Sequence, residues 1–314
     1  RFQKLDGFIS ANKGKTMSWD KITEQQNSAS ANIDENSTLE ILSIINNEDA
    51  GVALAIQNKL SEIEAFIKAL IPRVKGGGRL FYVGSGTSGR LGVLDAAECP
   101  PTFSTSPTMV KGIIAGGYDA LVRSIEGAED NPTDGAKAII DYGINSESTV
   151  LGITASSTTP FVLGALEKAK EFGAMTGLLL CNNPPKLEYV DHIISIIVGP
   201  EVISGSTRMK AGTATKMVLN MITTTLMIKL NKTYGNLMVD LKASNEKLWD
   251  RGTRIIQHLT DLSYDDSLKL LQSADGEVKT AIVMEKLKME AGDTREKLNE
   301  NKGSLRKVLD GELS

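Results

Sequence analysis

The 314-residue chain is poor in the side chains that many enzymes recruit first. It has two cysteines, two histidines, and aromatic residues at only 5%. Cys99 and Cys181 cannot build a disulfide framework, and no metal-finger spacing surrounds them. His192 and His258 lie far apart in sequence, which argues against a histidine-rich metal site. Basic residues are not in excess: 35 Lys and Arg against 39 Asp and Glu leave a net charge of −4. Broad electrostatic attraction to nucleic acid or anionic lipid is therefore not expected. Long apolar runs are missing too. Stretches such as 193–198 fall far below the roughly 18 residues a membrane helix needs, so no membrane span is expected. Residues 1–16 carry Lys4, Lys13 and Lys15 and no apolar centre, unlike a secretory signal. Any chemistry must fall largely to carboxylates, hydroxyls and backbone groups.

What is present is ordinary globular material: 41% hydrophobic, 24% charged, and 29 glycines against 9 prolines. That suits one large domain, or a main domain with a small one. Residues 10–48 are polar and read as a loose arm. They end in a capping signal, Ser37-Thr38-Leu39-Glu40, that opens a short helix. Residues 52–74 have helical periodicity, with Pro72 and Gly76-Gly77-Gly78 as stops. Apolar strands at 80–83, 110–115, 149–154, 176–181 and 192–198 then alternate with helices, placed at 86–97, 118–127, 133–142 and 160–172. This pattern predicts an α/β fold, a three-layer αβα sandwich around a five-stranded parallel sheet of flavodoxin-like type. After Thr207 the strand signals vanish. A long apolar helix over 209–230 and helical sequence from Asn236 onward predict a small all-helical C-terminal module, with three or four short amphipathic helices over 262–309. The expected division is 1–48, an arm and short helix; 49–240, the sheet domain; and 241–314, the helical module.

Gly84-x-Gly86-x-x-Gly89 follows a strand and opens a helix, as a dinucleotide fingerprint does. The second strand ends in Ala115-Gly116-Gly117, without the acidic residue that would hold a ribose, which argues against nicotinamide binding. The same loop suits a phosphorylated or polyhydroxylated ligand: glycine lets the backbone approach, helix N–H groups face an anion, and Ser85, Thr87 and Ser88 add hydroxyls. A second loop, Ser156-Ser157-Thr158-Thr159, follows the third strand, so both reach the same edge of the sheet. Taken singly, each could be a mere helix cap. Together they favour a sugar-phosphate site.

Two carboxylate groups stand out. Glu98 precedes Pro100-Pro101, which are expected to end the helix and fix Glu98 at a rigid exit. Glu126, Glu129 and Asp130 cluster where a helix C-terminus is expected, an unfavourable place for negative charge. On residue type alone, solvated surface or capping acids explain this cluster well. Arg208 and Lys210, at the start of the apolar helix, could be surface charges or could reach an anionic ligand. Met209, Met217, Met221 and Met227 read as core filling. Cys99, without a nearby histidine, reads as buried packing and not as a nucleophile.

These residues resemble those of the bacterial N-acetylmuramic acid 6-phosphate etherases. The resemblance is carried by residues 76–92 around Gly84-Ser85-Gly86-Thr87-Ser88-Gly89 and by Asp95-Ala96-Ala97-Glu98-Cys99-Pro100-Pro101-Thr102-Phe103. It extends to Glu126-Gly127-Ala128-Glu129-Asp130, Ser206-Thr207-Arg208-Met209-Lys210-Ala211-Gly212 and Tyr234-Gly235-Asn236-Leu237-Met238-Val239-Asp240, spanning about 22–309. It implies a sugar isomerase (SIS) domain with a C-terminal helical module like a ubiquitin-associated fold. It also implies a cytoplasmic homodimer with active sites at the subunit interface, acting on a small-molecule sugar phosphate. The implied reaction releases D-lactate from N-acetylmuramic acid 6-phosphate during cell-wall amino-sugar recycling. That chemistry needs no metal and no other cofactor. By resemblance Glu98 is the acid at the lactyl ether oxygen and Glu129 the base at C2. Ser85, Gly86, Thr87, Ser88, Ser156, Ser157, Thr158, Thr159, Arg208 and Lys210 are the expected substrate-binding residues.

One departure is plain. The family usually reads Ser-Gly-Arg-Thr-Pro where this chain has Ser156-Ser157-Thr158-Thr159-Pro160. Serine at 157 restricts a turn that glycine would free, and Thr158 lacks a guanidinium for an anion. A non-catalytic sugar-phosphate sensor similar to glucokinase regulatory protein is the alternative reading. Retention of both glutamates and a single set of sugar-phosphate loops argue against it. An aldose–ketose isomerase on the same fold is a third.

Overall fold

The computed structural model describes residues 21–311. The expectations for residues 1–20 lie outside them. Helix α1 (Thr38–Ala50) starts as its sequence dictates. The Glu40 N–H donates to Ser37 Oγ and the Ser37 N–H donates to the Glu40 carboxylate, closing a capping box. The single helix expected over 52–74 is instead two, α2 (Val52–Gln57) and α3 (Leu60–Lys75), broken at Asn58–Lys59. Asparagine competes for its own backbone and is a weak helix former. Pro72 does not stop α3; the helix runs on to the glycines at 76–78.

Five strands follow: β1 (Leu80–Gly84), β2 (Val110–Ile114), β3 (Thr149–Thr154), β4 (Met175–Leu180) and β5 (His192–Ser195). All pair in parallel, in the order β2-β1-β3-β4-β5. The central strands are buried on both faces, which is why they read as unbroken apolar runs. Their helices are α4 (Gly86–Phe103), α5 (Asp119–Val122), α6 (Pro132–Asp141), α7 (Pro160–Glu171) and α8 (Lys210–Lys229). Alternate side chains of β1 enter opposite cores. Tyr82 packs with Phe66 and Leu70 of α3 and Leu219 and Ile222 of α8. Phe81 and Val83 pack with Ile139 of α6 and Val162 and Leu166 of α7.

A third core belongs to the C-terminal helices α9 (Glu246–Leu259), α10 (Tyr264–Ser273), α11 (Val278–Leu287), α12 (Ala291–Glu300) and α13 (Leu305–Asp310). It also takes in Val239 and Leu241 from the preceding segment. Helix does not begin at Asn236 as expected but at Glu246, capped by Asn245. Nor is the N-terminal arm loose over 21–37. It forms three short 3-10 turns, buries Thr23 completely, and is tied to the sheet domain by the Gly205 N–H donating to Thr23 O. Such docking depends on partners more than 150 residues away and leaves no periodicity to read.

Two further corrections bear on the site. Helix α4 passes through Pro100 and Pro101 and ends at Phe103, where Ser104 turns left-handed (φ 48°) and its N–H closes onto Pro100 O. The fixed proline φ is helical, so only two hydrogen bonds of the last turns are lost. The helix expected over 118–127 is reduced to the single turn of α5.

Candidate active site

In this strand order the chain leaves β1 and β3 toward opposite faces of the sheet: α4 enters the first core and α7 the second. The crevice between their C-terminal ends is where open α/β sheets bind ligands. The turn from β1 into α4 is pinched. A Cβ at Gly89 would lie 2.7 Å from Gly84 O and 2.6 Å from Ile114 Cγ1, so only glycine lets helix and strand approach this closely. Gly86 has open space but φ of 48°, so it serves the backbone turn.

Capping does not account for the hydroxyls here. Ser85 stands at the N-cap of α4 without capping it; its Oγ donates to Glu129 Oε2 at 2.8 Å. Thr159 stands at the N-cap of α7, also without a capping bond, and pairs with Thr154 Oγ1 at 2.7 Å. Thr87, Ser88 and Ser156 are half-buried beside them, Ser157 is buried, and Thr158 is exposed. Ser157 has φ of 70°, so the turn keeps a glycine-like backbone although it carries a side chain.

Glu129 is held twice, by Ser85 on its carboxylate and by the Phe161 N–H on its carbonyl oxygen (3.0 Å). It does not follow a helix C-terminus as the sequence suggested. It lies in the loop leading into α6, where the positive end of the helix dipole favours a negative charge.

Glu98 lies elsewhere. It is thirteen residues beyond Ser85 along α4, about 20 Å at the rise of an α-helix, so within one chain it does not meet Glu129. It opens instead on a cleft of about 260 Å³ between α4 and α8, with Leu91, Leu94, Asp95, Lys216, Leu219 and Asn220. Asp95 is buried there and accepts from Tyr82 OH (2.9 Å), Asn220 Nδ2 (2.8 Å) and Thr223 Oγ1 (3.1 Å). Burial raises its pKa above the usual carboxylate value, against these three donors.

The two basic residues at the start of α8 part company. Arg208 is exposed. Lys210 is buried and its Nζ pairs with Glu48 of α1 at 2.5 Å, while Glu201 caps α8 by accepting the Lys210 and Ala211 N–H groups. Burial pushes the thiols of Cys99 and Cys181 up to about 12, which removes them as nucleophiles. Among the described residues, no three His, Cys, Asp or Glu side chains gather as metal ligands.

Residues 62–170 match a family model described as the glucokinase regulatory protein N-terminal SIS domain. Residues 235–288 match one described as the C-terminal lid domain of glucokinase regulatory protein. Over nearly the whole chain the relatives are of another kind. An N-acetylmuramic acid 6-phosphate etherase of Geobacillus sp. strain WCH70 is 46% identical over 91% of this chain and 98% of its own length. The chain belongs to the N-acetylmuramic acid 6-phosphate etherase family. The etherase of Rhodopirellula baltica is 49% identical over 91% of this chain and 95% of that protein. A solved phosphoheptose isomerase from Francisella tularensis covers 63% of this chain and all of its own, at 16% identity and a TM-score of 0.45.

For an etherase-family chain, two residues at the site were not anticipated from sequence. Lys21 donates its ammonium to Thr158 Oγ1 at 2.6 Å, bringing a cation to the loop whose usual arginine is missing. Lys216 stands in the Glu98 cleft. Lys21 lies 137 residues from its partner, beyond any local signal. Lys216 gave no signal either: six residues after Lys210 it lies on a different face of the same helix.

Proposed function

We propose that this protein cleaves the D-lactyl ether of N-acetylmuramic acid 6-phosphate, giving N-acetylglucosamine 6-phosphate and D-lactate. The observation that carries this reading is the near-full-length match to etherases at 46% and 49% identity. In the open-chain sugar the C1 aldehyde acidifies C2–H. Glu129 takes that proton, the C3–O bond breaks, and Glu98 protonates the departing ether oxygen to give lactate. Water then adds across the C2–C3 double bond, its oxygen to C3 and a proton to C2, so the net reaction is hydrolysis of the ether. One carboxyl must start neutral and the other ionised.

The sugar's phosphate sits against Ser85, Gly86, Thr87, Ser88 and Ser156, Ser157, Thr158, Thr159, where backbone N–H groups and hydroxyls supply donors and Lys21 and Arg208 supply charge. Lys210 acts on the ligand indirectly, by fixing the start of α8 through Glu48. An acid and a base working on adjacent carbons cannot stand as far apart as Glu98 and the Ser85 end of α4 that holds Glu129, about 20 Å. The active site is therefore assembled from Glu129 of one protomer and the Glu98 cleft of a second in a homodimer. Helix α1 supports this: it buries none of its residues and leaves Leu39 and Leu42 largely exposed, with Leu54 of α2 beside them in sequence. No described helix is long and apolar enough to cross a membrane. The two free, buried cysteines fit the proposed cytoplasmic setting of amino-sugar recycling.

Incubation of the protein with N-acetylmuramic acid 6-phosphate and an enzymatic lactate assay tests the reading. Stoichiometric D-lactate is expected. Tight binding without lactate would favour the sensor alternative, and interconversion of phosphosugars without lactate an isomerase.

A further inference from the structure

We propose that Lys216 recognises the carboxylate of the lactyl group, and that the cleft between α4 and α8 is the subsite which distinguishes a sugar bearing this acid from one with a free C3 hydroxyl. The inference rests on the etherase reading and assigns a specificity-determining residue within it.

The lactyl substituent joins three chemically different groups at one carbon: the ether oxygen, a methyl group and a carboxylate. The cleft offers a partner to each. Glu98 is the acid for the ether oxygen, Leu91, Leu94 and Leu219 give an apolar wall for the methyl group, and Lys216 gives an ammonium for the carboxylate. At about 260 Å³ the space is below the range of drug-sized ligand pockets and suits a three-carbon substituent. Lys216 is exposed and has no ion-pair or hydrogen-bond partner among the described residues, unlike Lys210, Lys232 and Lys279, which are all paired. Two carboxylates line the cleft with it: Asp95 already accepts from Tyr82, Asn220 and Thr223, and Glu98 is the acid of the reaction, and neither is bonded to the Lys216 ammonium. That network also fixes Asn220 in the wall, so the cleft is shaped before a ligand arrives.

Two neighbouring roles follow. The carboxylate would bring the ether oxygen to Glu98, because ether oxygen and carboxylate are separated by a single carbon. After cleavage the sugar product no longer has a group for Lys216, which lowers its affinity relative to the substrate.

The test compares N-acetylmuramic acid 6-phosphate with its analogue carrying a neutral primary amide in place of the lactyl carboxylate, using kcat/KM for ether cleavage. The native protein should prefer the acid by about 10- to 100-fold, the scale of one charge-assisted hydrogen bond. In Lys216→Met that preference should fall to within about threefold, and Lys216→Arg should retain most of it. Equal losses on both substrates in Lys216→Met, or no loss on either, would overturn the proposal while leaving the etherase reading intact. If the native protein releases lactate from neither substrate, the etherase reading fails and the inference with it. Because Lys216 is exposed, the variants should melt within a few degrees of the native protein, which separates lost recognition from lost fold.

Discussion

At the scale of single residues, the second hydroxyl loop carries this chain's own signature. Ser157 keeps a left-handed backbone (φ 70°) that costs a side-chain-bearing residue roughly 1–2 kcal/mol. Ser157→Gly should therefore stabilise the protein by about 1 kcal/mol in urea or guanidinium unfolding, after the added entropy of the unfolded chain offsets part of the gain. Beside it, Thr158 is bonded by Lys21 in place of carrying a cation itself. If that ammonium serves the phosphate, Lys21→Ala should raise KM about tenfold with little change in kcat, since binding common to ground and transition states moves KM alone. A fall in kcat at constant KM would assign Lys21 another role. The family motif exposed the loss of the arginine. Its replacement could not be read, because the compensating lysine lies 137 residues away in the arm expected to be loose.

At the scale of elements, Glu129 depends on how closely two helices approach. A Cβ at Gly164 of α7 would lie 2.2 Å from Pro132 O of α6, and one at Gly135 of α6 would lie 1.9 Å from Phe161 O. The Phe161 N–H that holds Glu129 O is at this contact. Gly164→Ala should cost about 2 kcal/mol by overpacking and lower kcat as well, because parting α6 from α7 moves Glu129. A stability loss with unchanged kcat would show that the base is positioned independently. A second contact joins α1 to α8 through Glu48 and Lys210, whose side chain is only 4% exposed. The Lys210 bond holds the Glu48 carboxyl below its ordinary value of 4.5. A carboxyl depressed on folding contributes stability above its unfolded pKa and loses it as pH falls through the folded one. Glu48→Gln should thus lower stability by about 3 kcal/mol at pH 7, leaving a buried lysine unpaired. The gap in Tm between the two proteins should close as pH falls below the ordinary carboxyl value of 4.5. A constant gap would mean that packing, not charge, is lost.

At the scale of the whole molecule, the separation of Glu98 from Glu129 has a direct consequence. If each active site takes one glutamate from each protomer, Glu98→Gln and Glu129→Gln are each inactive as homodimers but complement when mixed after reversible dissociation. Random pairing gives half heterodimers, each with one intact site and one lacking both carboxylates, so recovery should approach about one quarter of native activity. No recovery in proven heterodimers would place both residues in one protomer's site and require α4 to rearrange.

Much of the fold was legible because its signals are local. The central parallel strands, buried on both faces, have to be largely apolar, the capping box at Ser37 closes within three residues, and Gly84, Gly86 and Gly89 announce a pinched turn wherever they occur. The family motifs singled out Glu98 and Glu129. Sequence also misled where a local rule met a wider context: Pro100 was expected to end α4 and did not, and the acids at 126–130 were placed at a helix end that is a loop. The amino-acid sequence by itself determined the layers, the sheet-edge loops and the membership of the chain in its family, since each rests on residue type and near-neighbour spacing. Only the tertiary structure decided that Ser85 serves Glu129 and not its own helix, that Lys210 is spent on Glu48, that Lys21 reaches Thr158, and that Glu98 faces a different cleft beside Lys216. Those pairings join residues 44 to 162 positions apart, and only close packing fixes which of them meet.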